Sequence, residues 1–140
     1  MKKNIKVIFI SIFMMFVNVN AETKDNSSQF IEIEKQVYDK IADSFAECYT
    51  FFKIFAIGAK GDPRAQESEK IADALIEMGL MLFSKHRSAE MAQKDYQAKI
   101  LMFGKEMQND VKEDFSNIHI LTNKYQNCFD MQKNFFGVVH

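Results

Sequence analysis

Between residues 30 and 55 apolar side chains recur every three or four positions: Phe30, Ile33, Val37, Ile41, Phe45, Cys48, Phe52 and Phe55. That spacing is one face of an α-helix. Lys35, Asp39, Lys40, Asp43 and Glu47 fill the opposite side. Ser27 and Ser28 stand just ahead of the stripe as candidate N-caps, and residues 22–28 read as a polar, frayed start. Gly58 and Gly61 are the stop signals. The helix is longer than those that follow, so its N-terminal half is expected to overhang, or bend over, one end of the domain.

Asp62-Pro63 opens a second helix, with an N-cap followed by Pro at the first helical position. Ile71, Leu75, Met78 and Leu82 form its stripe, widened by Ala72, Ile76, Gly79 and Phe83, which predicts heavy burial. Gly79 inside a helix costs about 1 kcal/mol relative to Ala. Close approach of another helix at that point would explain it. Residues 84–88 form a polar turn, and Ser88 can cap a third helix carrying Ala89, Ala92, Tyr96, Ile100, Phe103 and Met107. The pattern breaks at Asn109-Asp110. A fourth helix then carries Phe115, Ile118, Leu121, Tyr125, Cys128 and Phe135, and Gly137 ends it. No stretch reads as a strand. Four helices with short connections predict an all-α fold, an antiparallel up-down four-helix bundle in which the first and last helices are neighbours.

The start of the chain has a different pattern. Lys2, Lys3 and Lys6 precede an apolar run over residues 7–17 that only Ser11 interrupts, and Val19-Asn20-Ala21 suits a signal peptidase. As a helix the run would reach only about 16 Å, short of a hydrocarbon core of about 30 Å. Residues 1–21 are therefore read as a cleaved signal peptide and 22–140 as one helical domain, an uncleaved anchor being the alternative. The signal takes three of the 18 basic and none of the 19 acidic residues, leaving 15 against 19, a net charge of −4. Neither nucleic acid nor anionic lipid is an expected partner of such a chain. No stable membrane insertion is expected after cleavage.

Export changes the meaning of the two cysteines. In an oxidising compartment Cys48 and Cys128 favour a disulfide over two buried free thiols. Both lie on inward stripes, of the first and the last helix. No second cysteine or histidine stands at ligand spacing from either, so no metal site is expected there.

The search for chemistry returns no catalytic, cofactor or metal residues. None of His86, His119 and His140 has Glu three positions before it, as a di-iron bundle requires, and the haem-attachment and zinc-hydrolase spacings are missing. His86, in Lys85-His86-Arg87, reads as a solvated loop residue and His119 as a boundary residue. Met78, Met81, Met91, Met102, Met107 and Met131 would suit Cu(I), but gap-filling in a helical core is the favoured reading. Tyr38, Tyr49, Tyr96 and Tyr125 read as core-edge residues with hydroxyls toward water.

The run Asn117-Ile118-His119-Ile120-Leu121-Thr122-Asn123-Lys124-Tyr125-Gln126-Asn127-Cys128 resembles the C-terminal helix of a family of small exported helical proteins of proteobacteria. Glu47-Cys48-Tyr49-Thr50-Phe51-Phe52 resembles that family's first cysteine helix. The likeness covers the layout of most of the domain but only these two segments in detail, and it implies no activity. Cys128-Phe129-Asp130-Met131 is also similar to a run near the end of type VI secretion immunity proteins that block a periplasmic cell-wall amidase; the middle helices depart from that pattern.

The chain is thus read as a non-enzymatic, periplasmic or secreted binding protein, monomeric or weakly dimeric, whose partner is a periplasmic protein. An immunity or inhibitor role would use the loops at 58–62 or 84–88. A small-ligand role would need a cavity between the second helix and Phe51, Phe52 and Phe55. N-terminal sequencing of exported material is expected to begin at Glu22, and retention of Met1 would refute the signal assignment.

Overall fold

Asp62 and Pro63 stand where the chain first reverses. The structure is a computed structural model that describes residues 24–59 and 61–137. The expected signal peptide, its cleavage point and His140 lie outside the described residues. Helix α1 runs Lys24–Gly58 (35 residues) and α2 runs Pro63–Phe83 (21 residues). Between them Gly61 takes φ 95°, a left-handed conformation that glycine adopts without strain. The Asp62 carboxylate then accepts from the Arg64 amide at 2.9 Å and caps α2.

A 3₁₀ turn, Ser84–His86, leads to α3, Ala89–Asp110. The Ser88 hydroxyl accepts from the Met91 amide at 3.3 Å, as the capping signal predicts. Two short helices complete the chain, α4 at Ile118–Lys124 and α5 at Gln126–Phe136. Among the described residues there is no strand.

Three expectations need correction. Ser27 and Ser28 lie inside α1 rather than capping it. No Gly or Pro separates Lys24 from Phe30, so nothing halts the helix there. The expected fourth helix is two. Phe115 precedes both, in the connection after α3, with φ 59°. The α4–α5 junction falls at Tyr125, whose φ −108° and ψ 33° leave the helical range. Its amide still donates to the Leu121 carbonyl at 2.8 Å, and its own carbonyl accepts from the Cys128 amide at 2.9 Å, so the break leaves these backbone groups paired. Third, the apolar stripe of α1 is buried only in its second half. Phe45, Cys48, Phe52 and Phe55 are at most 3% exposed, whereas Phe30 and Ile33 are 44% and 43% exposed. At about 1.5 Å per residue α1 is about 52 Å long and α2 about 31 Å, so α2 is too short to cover all of α1.

The core forms around the join of α1 to α5. Cys48 and Cys128 are disulfide-bonded, with Cα atoms 5.2 Å apart, and both are fully buried. The next residue, Phe129, meets Phe51, Phe52 and Phe55 edge-on, at centroid distances of 5.2, 5.7 and 5.4 Å. This T-shaped geometry sets the positive ring edge on the negative face and adds to the burial term. Tyr125 closes the cluster, 5.6 Å from Phe51.

Gly79 is explained by α3. A Cβ there would overlap the Tyr96 hydroxyl and lie 3.1 Å from Phe45 Cβ. The Tyr96 hydroxyl donates to the Ala42 carbonyl at 3.0 Å, so it does not face water as expected. The ring is 1% exposed, and that burial holds the phenol's pKa well above its usual range. Gly58 serves a similar purpose at the other end: a Cβ there would lie 2.9 Å from Phe115 Cγ.

The disulfide closes a separation of 80 residues, which is worth roughly 4–5 kcal/mol when the unfolded chain is the only state constrained. Cys48→Ser is therefore expected to lower the melting temperature markedly under oxidising conditions, and reductant is expected to bring the parent down toward it. A variant that melts with the oxidised parent would show that the bridge does not support the fold.

Candidate functional site

The sequence nominated two loops and a cavity. The cavity is filled. Phe51, Phe52 and Phe55 are at most 1% exposed, and their open side is taken by Phe129 and Tyr125. Arg64 covers the rim, its guanidinium 4.8 Å from the Phe129 centroid and 5.3 Å from that of Phe55. Asp62 holds it there through a 2.7 Å bond to Nη2, and the Asp62 carboxyl is in turn held below its ordinary pKa. The loop at 58–62 thus caps α2 and positions Arg64. Shallow depressions lie elsewhere, one of about 380 Å³ between α2 and α3 beside Leu80, Met81, Ala89 and Gln93.

The turn at 84–88 grips α1. Arg87 donates from Nη1 and Nη2 to the two carboxylate oxygens of Asp39, each at 2.6 Å, and from Nη1 to the Phe83 carbonyl at 3.0 Å. Its guanidinium lies 3.8 Å from the Phe83 ring centroid. Lys99 approaches the same ring at 5.6 Å and pairs with Asp43 at 2.8 Å. Arg suits this place because its planar fork can bind a carboxylate and stack on a ring together. Its hydrogen bond to Asp39 holds the carboxyl below its ordinary pKa.

His86 is not the solvated loop residue the sequence suggests. Its ring stacks on Tyr38 at 5.9 Å, and its Nε2 is shielded from water without a hydrogen bond, 3.7 Å from a Glu34 oxygen. Burial, then a hydrogen bond to Glu34, raises the Tyr38 pKa. His119 is exposed. The methionines divide: Met107 is fully buried, while Met81, Met91 and Met102 are about half exposed, so gap-filling accounts for only some of them. Among the described residues no three of His, Cys, Asp and Glu gather as a metal set. No helix among them is long and apolar enough to cross a membrane.

Beyond this turn α1 continues toward its N-terminus. Ile31 and Ile33 are 53% and 43% exposed there, amid Glu32, Lys35 and Gln36. Neither sign of charge dominates. The leading half of α1, rooted on the 84–88 turn, is the candidate functional surface. The sequence indicated it in part: the length of the first helix gave the expected overhang of its N-terminal half, while the periodic stripe assigned Phe30 and Ile33 to the core.

Comparison with known proteins found no matching family model, no matching curated protein and no matching solved structure.

The Asp39–Arg87 pair gives a pH test. A depressed carboxyl stabilises the fold above the unfolded value, about pH 4, and the contribution fades as pH falls through the folded value. Asp39→Asn is expected to cost about 2 kcal/mol at neutral pH, with the gap in melting temperature closing in acid. A gap unchanged down to about pH 2.5 would show that this carboxylate is not what Arg87 holds.

Proposed function

We propose that the chain is a non-catalytic binding protein that acts outside the cytoplasm and presents the leading half of α1 to a protein partner. The observation that carries the reading is the exposed Ile31–Ile33 segment on a helix that outruns its neighbours. Large apolar side chains held in water on a regular element are a common mark of an interaction surface. Export is supported by the charged and apolar pattern of residues 1–21 and by the disulfide, which suits an oxidising compartment.

We read the architecture as an antiparallel up-down four-helix bundle in which α4 and α5 share the fourth position. The pairings Lys53–Asp73 and Asp39–Arg87 support an antiparallel α2. Tyr96 on Ala42 and Lys99 on Asp43 support an α3 parallel to α1. Phe129 beside Phe55, Cys128 on Cys48 and Phe135 beside Phe45 support an antiparallel α5. Such a body would hold α1 rigidly and leave Ile31 and Ile33 available.

An immunity or inhibitor role is the specific form of this reading that the Cys128–Met131 likeness favours, with a periplasmic enzyme as the partner. A small-ligand role has less support, because the place expected for the ligand is occupied by Phe129 and Arg64.

The test is capture from periplasmic extract with the parent and with an Ile31→Glu, Ile33→Glu double variant. One stoichiometric protein held by the parent and lost by a variant of equal melting temperature is the expected result. Equal capture by both would remove α1 as the surface. A small molecule retained in native mass spectrometry, with no protein captured, would replace this reading with the ligand one.

A further inference from the structure

Where α1 leaves the rest of the protein, one contact is incomplete. His86 Nε2 is shielded from solvent and has no hydrogen-bond partner, yet a Glu34 carboxylate oxygen lies 3.7 Å away. That is too long for a hydrogen bond and within reach of an ion pair. Tyr38, one turn along α1 from Glu34, stacks on the imidazole and fixes where it points. Buried polar atoms are normally satisfied, so the vacancy at Nε2 asks for an explanation.

We propose that His86 and Glu34 form an acid-closed latch that fastens the leading half of α1 to the turn between α2 and α3. Imidazole takes up a proton between about pH 5 and 8. With both ring nitrogens protonated, Nε2 becomes a charged donor aimed at Glu34, and a small side-chain movement closes the gap. Without that charge the contact is weaker, and α1 is held at this level by the Tyr38 stack and the neighbouring Asp39–Arg87 pair.

The groups around the ring set the balance. Glu34, Tyr38 and Asp39 come from α1, and Lys85 and Arg87 from the turn. Asp39 is already engaged by both Arg87 nitrogens, so it does not compete for the ring. Asp43 of α1 and Asp95 of α3 act on Arg87. Lys85 lies 5.8 Å from the Tyr38 ring, on the same side chain that the imidazole stacks against. Among the described residues Glu34, which Tyr38 hydrogen-bonds, is the carboxylate in reach that no cation already holds at hydrogen-bond distance. The position matters: Glu34 is 36% exposed at its side chain, and residues 27–33 beyond it are exposed, so closing the latch extends the anchored part of α1 by about one turn. This inference stands on contacts within the chain and does not depend on the partner reading.

Amide hydrogen exchange over residues 29–37 tests it, corrected for the intrinsic pH dependence of exchange. Protection is expected to rise about two- to fivefold between pH 8 and pH 5.5 in the parent, the range of a partly exposed ion pair. It is expected to stay flat in His86→Gln and in Glu34→Gln. His86→Lys, charged throughout, is expected to hold the segment protected at both pH values. All variants should share the parent's melting temperature at pH 8, or lie above it in the case of His86→Lys. A parent with no rise, a rise that persists in either Gln variant, or a His86→Lys protein as open as the parent at pH 8 would each overturn the latch.

Discussion

The bond between Cys48 and Cys128 places the last helix of this protein against the first, and the aromatic residues beside it turn that attachment into a packed core. The two halves of the attachment work differently. The covalent link removes conformations from the unfolded chain, which helps whatever the native contacts are. The cluster of Phe51, Phe52, Phe55, Tyr125 and Phe129 acts on the folded state, by burying apolar area and by orienting ring edges onto ring faces. Neither does the work of the other. A disulfide alone would leave an 11-residue helix tethered but free to swing.

At the opposite end the attachment is electrostatic. Asp39, Asp43, Arg87 and Lys99 gather around the buried ring of Phe83, so two cations share one ring and each has its own carboxylate. These groups are partly shielded, which strengthens their attraction while sparing the cost of full desolvation. The protein is therefore sealed by apolar packing where the chain ends and by charge where α1 departs. Ile31 and Ile33 lie beyond the charged seal and stay 53% and 43% exposed.

Much of the helical layout was legible in the sequence because capping and stop signals are local. Asp62, Pro63, Ser88 and Gly61 act within a turn of themselves, and each does in the structure what its type suggests. The kink at Tyr125 was not legible, since the apolar spacing runs through it unchanged. The mistaken reading of Tyr96 and His86 has a common cause. A side chain's partner across the fold is not written beside it: Tyr96 finds a carbonyl 54 residues away, and Arg87 finds a carboxylate 48 residues away. The second pairing was partly accessible. Folding the chain about the loop at 59–62 brings the Lys85-His86-Arg87 run opposite the part of α1 that holds Glu34, Tyr38 and Asp39. The candidate surface was half legible: the greater length of the first helix announced an overhang, while its periodicity, that of a core helix, placed Phe30 and Ile33 inside.

The missing side chain at Gly79 has a further consequence. Tyr96 of α3 crosses α2 through the gap at that glycine and ends on a carbonyl of α1, so one phenol threads three helices. Sliding α2 by a single residue would bring Met78 or Leu80 under the hydroxyl and close the passage. The three helices are thereby keyed at one height along their axes. Side chains elsewhere in the interface are free to drift in size over time, provided that positions 79 and 96 change only as a pair.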